Sequence, residues 1–443
     1  MAGRDRDVVW AVPLAAGLLL WPAAWNGYPI VFADTGTYLS QAINLYLGWD
    51  RPPFYSLFML PLHMTVTTWP VVVVQALLTV AVLRLVSGVR WRWLPVVVAP
   101  LAVGTWLPFL VCQLMPDVFT PLLLLVLCVG RLRWRWVAFA TFAIAAQQSS
   151  LLLSVVVLLL TSWPGLIRAP RDATAGGVPV PRWPGVVGAG PAMTPVLAPI
   201  LAIAALLSVN FAGHGRFAIS PFGNVFLLAR VIYDGPGMDV LRRDCPAARW
   251  RLCAFLDRFP PTSDEFLWRP DSPIVLAGGH KAVSAEADAI IATALRVEPG
   301  REVLAMLHNG VEQLTRFASG DGLEAWPVEV TPWIERDFPK GEQAHYAAGL
   351  QARGLLTLPP WLGALHAIVA QAGVWACIAL LTPAIRRRDR TARFLLVILV
   401  ALPVSAMITG GLSTPHDRYQ SRIMWLPPFV AMLSAAALLR RPA

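Results

Sequence analysis

Two carboxylates at the ends of apolar runs are the residues best suited to chemistry. Asp34 lies just past the first long apolar segment, and Tyr38 follows four residues later, so the two share a face if the segment is helical. Asp117 follows Pro116 at the end of a later run. A carboxylate in such a place can accept a proton from a hydroxyl group or bind a divalent cation such as Mg²⁺ or Mn²⁺. Asp34 and Asp117 are therefore candidate catalytic residues, and Asp34 is also the candidate metal ligand.

Both carboxylates have an alternative interpretation as helix caps. Asp34 followed by Thr-Gly-Thr suits a helix N-terminus or a turn, and Asp117 could cap the apolar run that begins after it.

A basic cluster lies between two late apolar runs. It contains His416, Arg418 and Arg422, and the two arginines are four residues apart, on one face of a helix if one forms. Guanidinium groups that donate paired hydrogen bonds suit a phosphate or pyrophosphate. We expect these residues to bind such a group, and alanine at either arginine to weaken binding without unfolding the protein. The alternative is a structural ion pair with Asp417 or Asp34.

The elements that must position these residues are membrane helices. Apolar residues make up 56% of the 443-residue chain and charged residues 14%, which excludes an ordinary soluble protein. The apolar runs predict about ten crossings, although the runs between residues 118 and 163 are shorter than the roughly 20 residues of a full span. Trp21 and Trp25 form an interfacial anchor, so the N-terminal run is interpreted as a retained helix and not a signal peptide. The sequence predicts an all-α polytopic membrane protein.

The arginines predict the orientation of the chain. The net charge is +10, and the arginines concentrate at the ends of apolar runs, as the positive-inside rule describes for cytoplasmic loops in contact with anionic lipids. This pattern favours membrane lipids over nucleic acid as the partner of the basic residues. The predicted location is a bacterial inner membrane with both termini in the cytoplasm. The predicted cytoplasmic segments are residues 84–93, 131–135, 164–184, 386–393 and 440–443, and the predicted outer segments are residues 26–52, 115–117, 212–357 and 410–422.

Three regions follow from this arrangement. Residues 1–211 form a transmembrane module with a first outer loop at 26–52, residues 212–357 form an outer, periplasmic domain of mixed or mainly helical structure, and residues 358–443 form C-terminal transmembrane helices. Within the outer domain, residues 286–307 have the spacing of one amphipathic helix. The chain has no Walker sequence and no dinucleotide-binding motif.

Cys245 and Cys253 lie eight residues apart in the outer domain. No histidine or further cysteine lies near enough in sequence to complete a zinc site, so a disulfide in an oxidising compartment is predicted.

The first outer loop resembles that of the type-C glycosyltransferases, polytopic enzymes of the protein O-mannosyltransferase and aminoarabinose transferase kind. In that family an essential acidic residue precedes a tyrosine by a few positions, and a basic or histidine residue followed by two prolines opens the next helix. Asp34, Tyr38 and Arg51-Pro52-Pro53 match this order. The resemblance covers residues 8–165 and, more loosely, the last helices, whereas residues 212–357 match no soluble domain of the family.

The later candidates also resemble family residues. Asp117 matches a further acidic residue of the second outer loop, and Arg418 and Arg422 match late arginines that hold the lipid phosphate. The resemblance implies a type-C fold and a polyprenyl-phosphate sugar donor that approaches from the bilayer. It implies transfer of the sugar, on the outer face, to an envelope acceptor that is a glycan, a lipid or a protein. Tyr38 and Arg51 are then donor-binding residues with the basic cluster. The divalent cation is a candidate cofactor on the separate ground of the Asp34 carboxylate chemistry.

Two other classes of function remain open at this stage. A transporter or flippase for a lipid-linked or anionic solute could use the same arginines for binding and the carboxylates for proton coupling. A scaffold of an envelope-assembly complex could use the outer domain as a contact surface. Clustering of the ionisable residues at one face favours the enzyme, because alternating access requires a site near the midplane.

Overall fold

The computed structural model describes the backbone of residues 2–129, 132–162, 194–245, 247–387 and 391–439. Within these ranges every regular secondary-structure element is a helix and there is no β-strand, so the all-α prediction is confirmed for the described chain. Of the predicted cytoplasmic segments, residues 164–184 and 440–443 lie outside the described ranges, as do positions 131 and 388–390.

The N-terminal half is built from short and medium helices. They are α1 Ala2–Gly17, α2 Trp21–Asn26, α3 Ala33–Asn44, α4 Phe54–His63, α5 Trp69–Ser87, α6 Leu94–Gly104, α7 Leu107–Cys112, α8 Phe119–Leu127, α9 Trp134–Ala146, α10 Ser149–Ser162 and α11 Leu197–His214.

The predicted outer domain and the C-terminal region complete the chain. Their helices are α12 Gly223–Tyr233, α13 Pro236–Asp244, α14 Ser263–Trp268, α15 Pro273–Leu276, α16 His280–Val297, α17 Pro299–Thr315, α18 Thr331–Asp337, α19 Lys340–Ala348, α20 Pro360–Arg386, α21 Thr391–Thr409, α22 Asp417–Ser421 and α23 Leu426–Leu439. Short 3₁₀ helices occur at Trp91–Trp93, Pro116–Val118 and Arg251–Arg258.

Prolines open new helices within one apolar run and within the predicted amphipathic helix. The run at residues 94–114 is interrupted where Thr105 is extended and α7 begins with Pro108 in its first turn. The predicted single helix at residues 286–307 is likewise wrong, because Pro299 opens a new helix, α17, directly after α16. A proline lacks the N–H of an interior helix position and restricts the residue before it, so it starts a helix more readily than it continues one.

Five helical segments of the described chain are long and apolar enough to cross a membrane. They are Trp69–Ser87, Leu197–His214, Pro360–Arg386, Thr391–Thr409 and Asp417–Leu439. The fold is therefore consistent with a helical multi-pass membrane protein. The remaining crossings of the ten predicted fall on shorter apolar helices, among them α8, α9 and α10, and stay predictions.

The predicted outer domain buries its apolar side chains in two places. Residues between Phe222 and Ala294 form a core of their own from α12 to α16, and Cys245 and Cys253 are joined there by a disulfide with a Cα–Cα distance of 5.5 Å. Residues between Leu323 and Tyr346 instead join the large core of the apolar helices. The second part of the domain is thus packed directly on the region that contains the first outer loop.

Backbone pairing brings the first two outer loops together. Ile30 donates to the carbonyl of Cys112 at 2.9 Å and accepts from the N–H of Leu114 at 2.8 Å, which forms an isolated parallel bridge. The side chain of Gln351 pairs with both backbone groups of Val31, at 2.9 and 2.8 Å. The start of α3 and the segment before Asp117 are therefore held side by side, with the outer domain against them.

Candidate functional site

Asp34 lies in the first turn of α3 and does not act as its N-cap. Phe32 is the N-cap residue, and the backbone N–H of Phe32 donates a hydrogen bond to the hydroxyl of Thr35 at 2.9 Å. The carboxylate of Asp34 instead contacts two arginines: Oδ1 accepts from Nη2 of Arg51 at 2.8 Å, and Oδ2 lies 3.7 Å from Nη2 of Arg418. The capping interpretation of Asp34 is therefore wrong, and its pairing with Arg418 is one of the two ion pairs considered from the sequence.

The surroundings of Asp34 keep it ionised. Burial by itself raises the pKa of Asp34, but the positive charges of Arg51 and Arg418 outweigh burial and leave the pKa below its ordinary value. Asp50 shows the opposite balance. Burial raises the pKa of Asp50, the charge of Asp34 adds to this effect, and the opposing charge of Arg51 is too small to cancel it. Two neighbouring carboxylates of one loop thus differ in their readiness to bind a proton.

Asp117 pairs with Arg422 in the interior. Oδ1 of Asp117 lies 3.2 Å from Nη1 of Arg422, and the two side chains are 5% and 2% exposed. Arg422 also donates from Nη2 to the hydroxyl of Ser149, at 3.2 Å, in the first turn of α10. Because α22 places Arg418 one turn before Arg422, the pair lies beside the Asp34 contacts, and Arg418 is within electrostatic range of both carboxylates. We call Asp34, Arg51, Asp117, Arg418 and Arg422 the ionic cluster.

The guanidinium of Arg418 has capacity for a further partner. The guanidinium carbon of Arg418 lies 4.1 Å from the ring centre of Phe32, and the backbone N–H of Arg418 donates to Asp321 at 2.8 Å. Among the described residues, Nη1 of Arg418 and Nε of Arg422 are buried and have no hydrogen-bond partner. Buried N–H groups of charged side chains are costly to leave unpaired, so these atoms indicate where an acceptor would be stabilised.

Tyr38 lies one helical turn after Asp34 and is almost fully buried. Its ring meets Tyr55 of α4 edge to face, with centroids 5.0 Å apart, and burial raises its pKa far above the ordinary value. The hydroxyl of Tyr55 donates to Gln75 of α5 at 2.8 Å. Tyr38 therefore forms part of the packed wall behind the ionic cluster.

His416 is placed differently from the two arginines. Its Nε2 lies 3.3 Å from Oδ2 of Asp264 in α14, and its backbone carbonyl accepts from the amide of Gln313 in α17 at 2.8 Å. This hydrogen-bonded contact lowers the pKa of Asp264 below its ordinary value. His416 thus pairs with the outer domain and not with either carboxylate of the ionic cluster, and its predicted role in donor binding stays a prediction.

The residues around Asp34 do not fit a divalent cation well. Hard cations prefer several carboxylate or carbonyl oxygens, whereas each oxygen of Asp34 faces a guanidinium group. Within the described part of the chain, no three histidine, cysteine, aspartate or glutamate side chains converge as a metal site. The metal remains a prediction from the carboxylate chemistry of Asp34, and the proposed sugar transfer does not depend on it.

Four residues that contact the cluster were not anticipated as site residues. Phe32 lies under Arg418, Tyr419 lies 5.3 Å from Arg418 and 5.8 Å from Arg422, Ser149 binds Arg422, and Asp321 anchors the backbone of Arg418. Tyr419 could have been found, because it lies between the two arginines. Asp321 lies in a Gly-Asp-Gly turn that is typical of a solvated loop, and no local signal distinguishes Phe32 or Ser149.

No protein-family model matches this chain, and neither the curated proteins nor the solved structures include one that is detectably similar to it.

Proposed function

We propose that this protein is a membrane glycosyltransferase that moves a sugar from a polyprenyl-phosphate donor to an envelope acceptor on the outer face of the membrane. The fold we propose for it is of the type-C glycosyltransferase kind. The observation that carries the proposal is the ionic cluster, in which Asp34 lies between two arginines that come from distant parts of the sequence.

The charges of the cluster support a phosphate ligand. Within the cluster three guanidinium groups face two carboxylates, and the carboxylate of Asp50 also acts on Arg51 from outside it. Arg418 and Arg422 each have a buried N–H group without a partner among the described residues. A phosphate oxygen would supply the missing acceptors through charge-assisted hydrogen bonds.

The two oxygens of Asp34 have different freedom to act as a base. Oδ1 is hydrogen-bonded to Arg51, whereas Oδ2 is beyond hydrogen-bonding distance from Arg418. A donor phosphate that draws Arg418 toward itself leaves Oδ2 free for the acceptor hydroxyl. The acceptor oxygen then forms a bond to the anomeric carbon, the bond from that carbon to the phosphate oxygen breaks, and its electron pair leaves with the polyprenyl phosphate. The acceptor proton passes to Oδ2 of Asp34.

Asp117 has a supporting role in this proposal. Its carboxylate neutralises and orients Arg422 in a nearly water-free place, so Arg422 presents its remaining N–H groups in a fixed direction. The arrangement also serves the competing class, a transporter of a lipid-linked anion, because the same arginines would bind such a solute.

The test uses the full-length protein in nanodiscs, with the donor identified by mass spectrometry of the lipids that co-purify with it. Asp34→Asn keeps the shape of the side chain but removes its charge, so we expect donor binding to persist and sugar transfer to fall about 10²–10⁴-fold. The matched control is Asp271→Asn, which changes an exposed carboxylate paired with Arg269 and is expected to leave transfer within a small factor of the native rate.

Two results would contradict the proposal. Native transfer by Asp34→Asn, with transfer abolished in Asp117→Asn, would move the base to the second outer loop. Movement of the co-purified lipid between leaflets of proteoliposomes, without any transfer of its sugar to an acceptor, would favour the transporter.

A further inference from the structure

One helix of the predicted outer domain carries an exposed aliphatic stripe. Five side chains of α17 are between 39% and 68% exposed, at positions that repeat every three or four residues. At 100° per residue they cover an arc of about 100° that contains no charged residue. The stripe consists of Val303, Leu304, Leu307, Val311 and Leu314.

The other two arcs of α17 are accounted for by contacts or by water. One arc packs on the protein: Glu302 binds Arg230 in the interior, Gln313 is fully buried, and Gly310 lies against Met407 of α21. The next arc is polar and carries Arg301, His308, Glu312 and Arg316. The helix thus has a protein face, a polar face and an aliphatic face, and only the aliphatic face lacks a suitable environment.

The position of α17 indicates what surrounds the stripe. It packs along the end of α21, which is one of the five helices able to cross a membrane, and Gly411, just past α21, lies against Met306. Leu412, the next residue, is 42% exposed, so a further apolar side chain is accessible at the end of this span. The stripe therefore lies on a helix that packs against the end of a segment able to cross the bilayer.

We propose that α17 is an interfacial membrane helix whose stripe is immersed in the acyl chains of the phospholipid leaflet next to the outer domain. A helix with an aliphatic arc beside a charged arc is suited to lie in the plane of the headgroups with one side in hydrocarbon. This inference does not depend on the proposed sugar transfer, since it rests on the exposure and position of α17 alone.

Membrane contact of α17 has a consequence for the ionic cluster. Gln313 and Arg316 of this helix hold the carbonyls of His416 and Pro415, at 2.8 and 2.6 Å. Those two residues directly precede α22, which contains Arg418 and is followed by Arg422. The bilayer that holds α17 then also fixes the height of Arg418 and Arg422 relative to the membrane surface.

Site-directed spin labelling of the full-length protein tests this inference. Leu307→Cys and His308→Cys are a matched pair, because both positions are exposed and adjacent but only the first lies in the stripe. The three free cysteines, Cys112, Cys128 and Cys377, are buried, and omission of reductant preserves the disulfide during labelling. The labelled proteins are reconstituted into vesicles of palmitoyl-oleoyl phosphatidylethanolamine and phosphatidylglycerol, and collisions with oxygen and with water-soluble nickel chelate are measured.

The two positions should give opposite results. We expect oxygen collisions at Leu307→Cys to exceed chelate collisions several-fold and the ratio to reverse at His308→Cys, with Val311→Cys behaving like Leu307→Cys. Equal chelate accessibility at both positions would place the stripe in water and overturn the proposal. Low accessibility of Leu307→Cys and Val311→Cys to both reagents would also overturn it, because protein, such as a second copy of the chain, would then cover the stripe.

Discussion

At the scale of single residues, Asp117 and Arg422 form the most deeply buried ion pair of the ionic cluster, and each charge depends on the other. Both are nearly inaccessible to water, and each is the counterion of the other. Charges removed from water lose their hydration, so the pair is tolerated only while both members are present. This differs from the sequence-based expectation that alanine at Arg422 would weaken ligand binding without unfolding the protein.

Arg422→Ala should therefore destabilise the protein, because it leaves the carboxylate of Asp117 buried without a counterion. We expect a loss of about 3–5 kcal/mol in the free energy of unfolding, measured by denaturant titration of purified protein. The double variant Asp117→Leu with Arg422→Met removes both charges and should recover most of that loss while it abolishes donor binding. Failure of the double variant to exceed Arg422→Ala in stability would mean that the two residues are not coupled.

Arg418→Ala is the comparison for that experiment. Arg418 is 19% exposed and lies 3.7 Å from Asp34, which keeps a second arginine partner, Arg51. Loss of the Arg418 side chain should leave the free energy of unfolding close to that of the native protein.

At the scale of elements, α3 positions Asp34 by a very close approach to the outer domain. Gly36 of this helix faces the backbone carbonyl of Glu329 and the ring of Trp333, with Cδ1 only 2.6 Å from where a Cβ would be. The absence of a side chain at Gly36 lets the helix approach the second part of the outer domain closely. The outer domain is thus one wall of the site that contains Asp34.

Gly36→Ala should displace α3, because the added methyl group meets a backbone atom that cannot rotate away. We expect a cost of about 1–3 kcal/mol, typical of overpacking, and a fall in any activity that depends on Asp34. Gly341→Ala in α19 is the control, since nothing lies within 4 Å of its added Cβ. The control should be neutral or slightly stabilising, as alanine favours helix more than glycine. Equal stability of the two variants would contradict the close packing of α3.

At the scale of the whole molecule, the ionic cluster and the predicted outer domain must lie on one side of the membrane. The loop that carries Arg418 is attached to the outer domain through Asp321 and Asp417, whose carboxylates accept backbone N–H groups at 2.8 and 2.9 Å. Arginine clusters such as Arg90 and Arg92 are predicted to lie on the opposite, cytoplasmic side.

Labelling of introduced cysteines in intact cells tests this topology. Lys281→Cys is exposed in the outer domain and should react with a membrane-impermeant thiol reagent without lysis, whereas Arg92→Cys, also exposed, should react only after permeabilisation. The reverse pattern would place the ionic cluster in the cytoplasm and remove the basis for transfer on the outer face.

The amino-acid sequence by itself determined the helical membrane class, the residues of the ionic cluster and the spacing of Cys245 and Cys253. These features are local. Hydrophobicity, charge and separation along the chain can be read without knowing which helix faces meet. The pairing of Asp34 with Arg51 is also nearly local, since only 17 positions separate the two residues.

Only the tertiary structure decided which distant residues share a site. Arg422 meets Asp117 across 305 positions of the sequence. Phe32 lies under Arg418 because the first and the last of the predicted outer loops pack together. The tertiary structure also left the α17 stripe uncovered. The physical reason is that periodicity reports which side chains share a face, whereas the partner of each face is chosen by the packing of the whole chain.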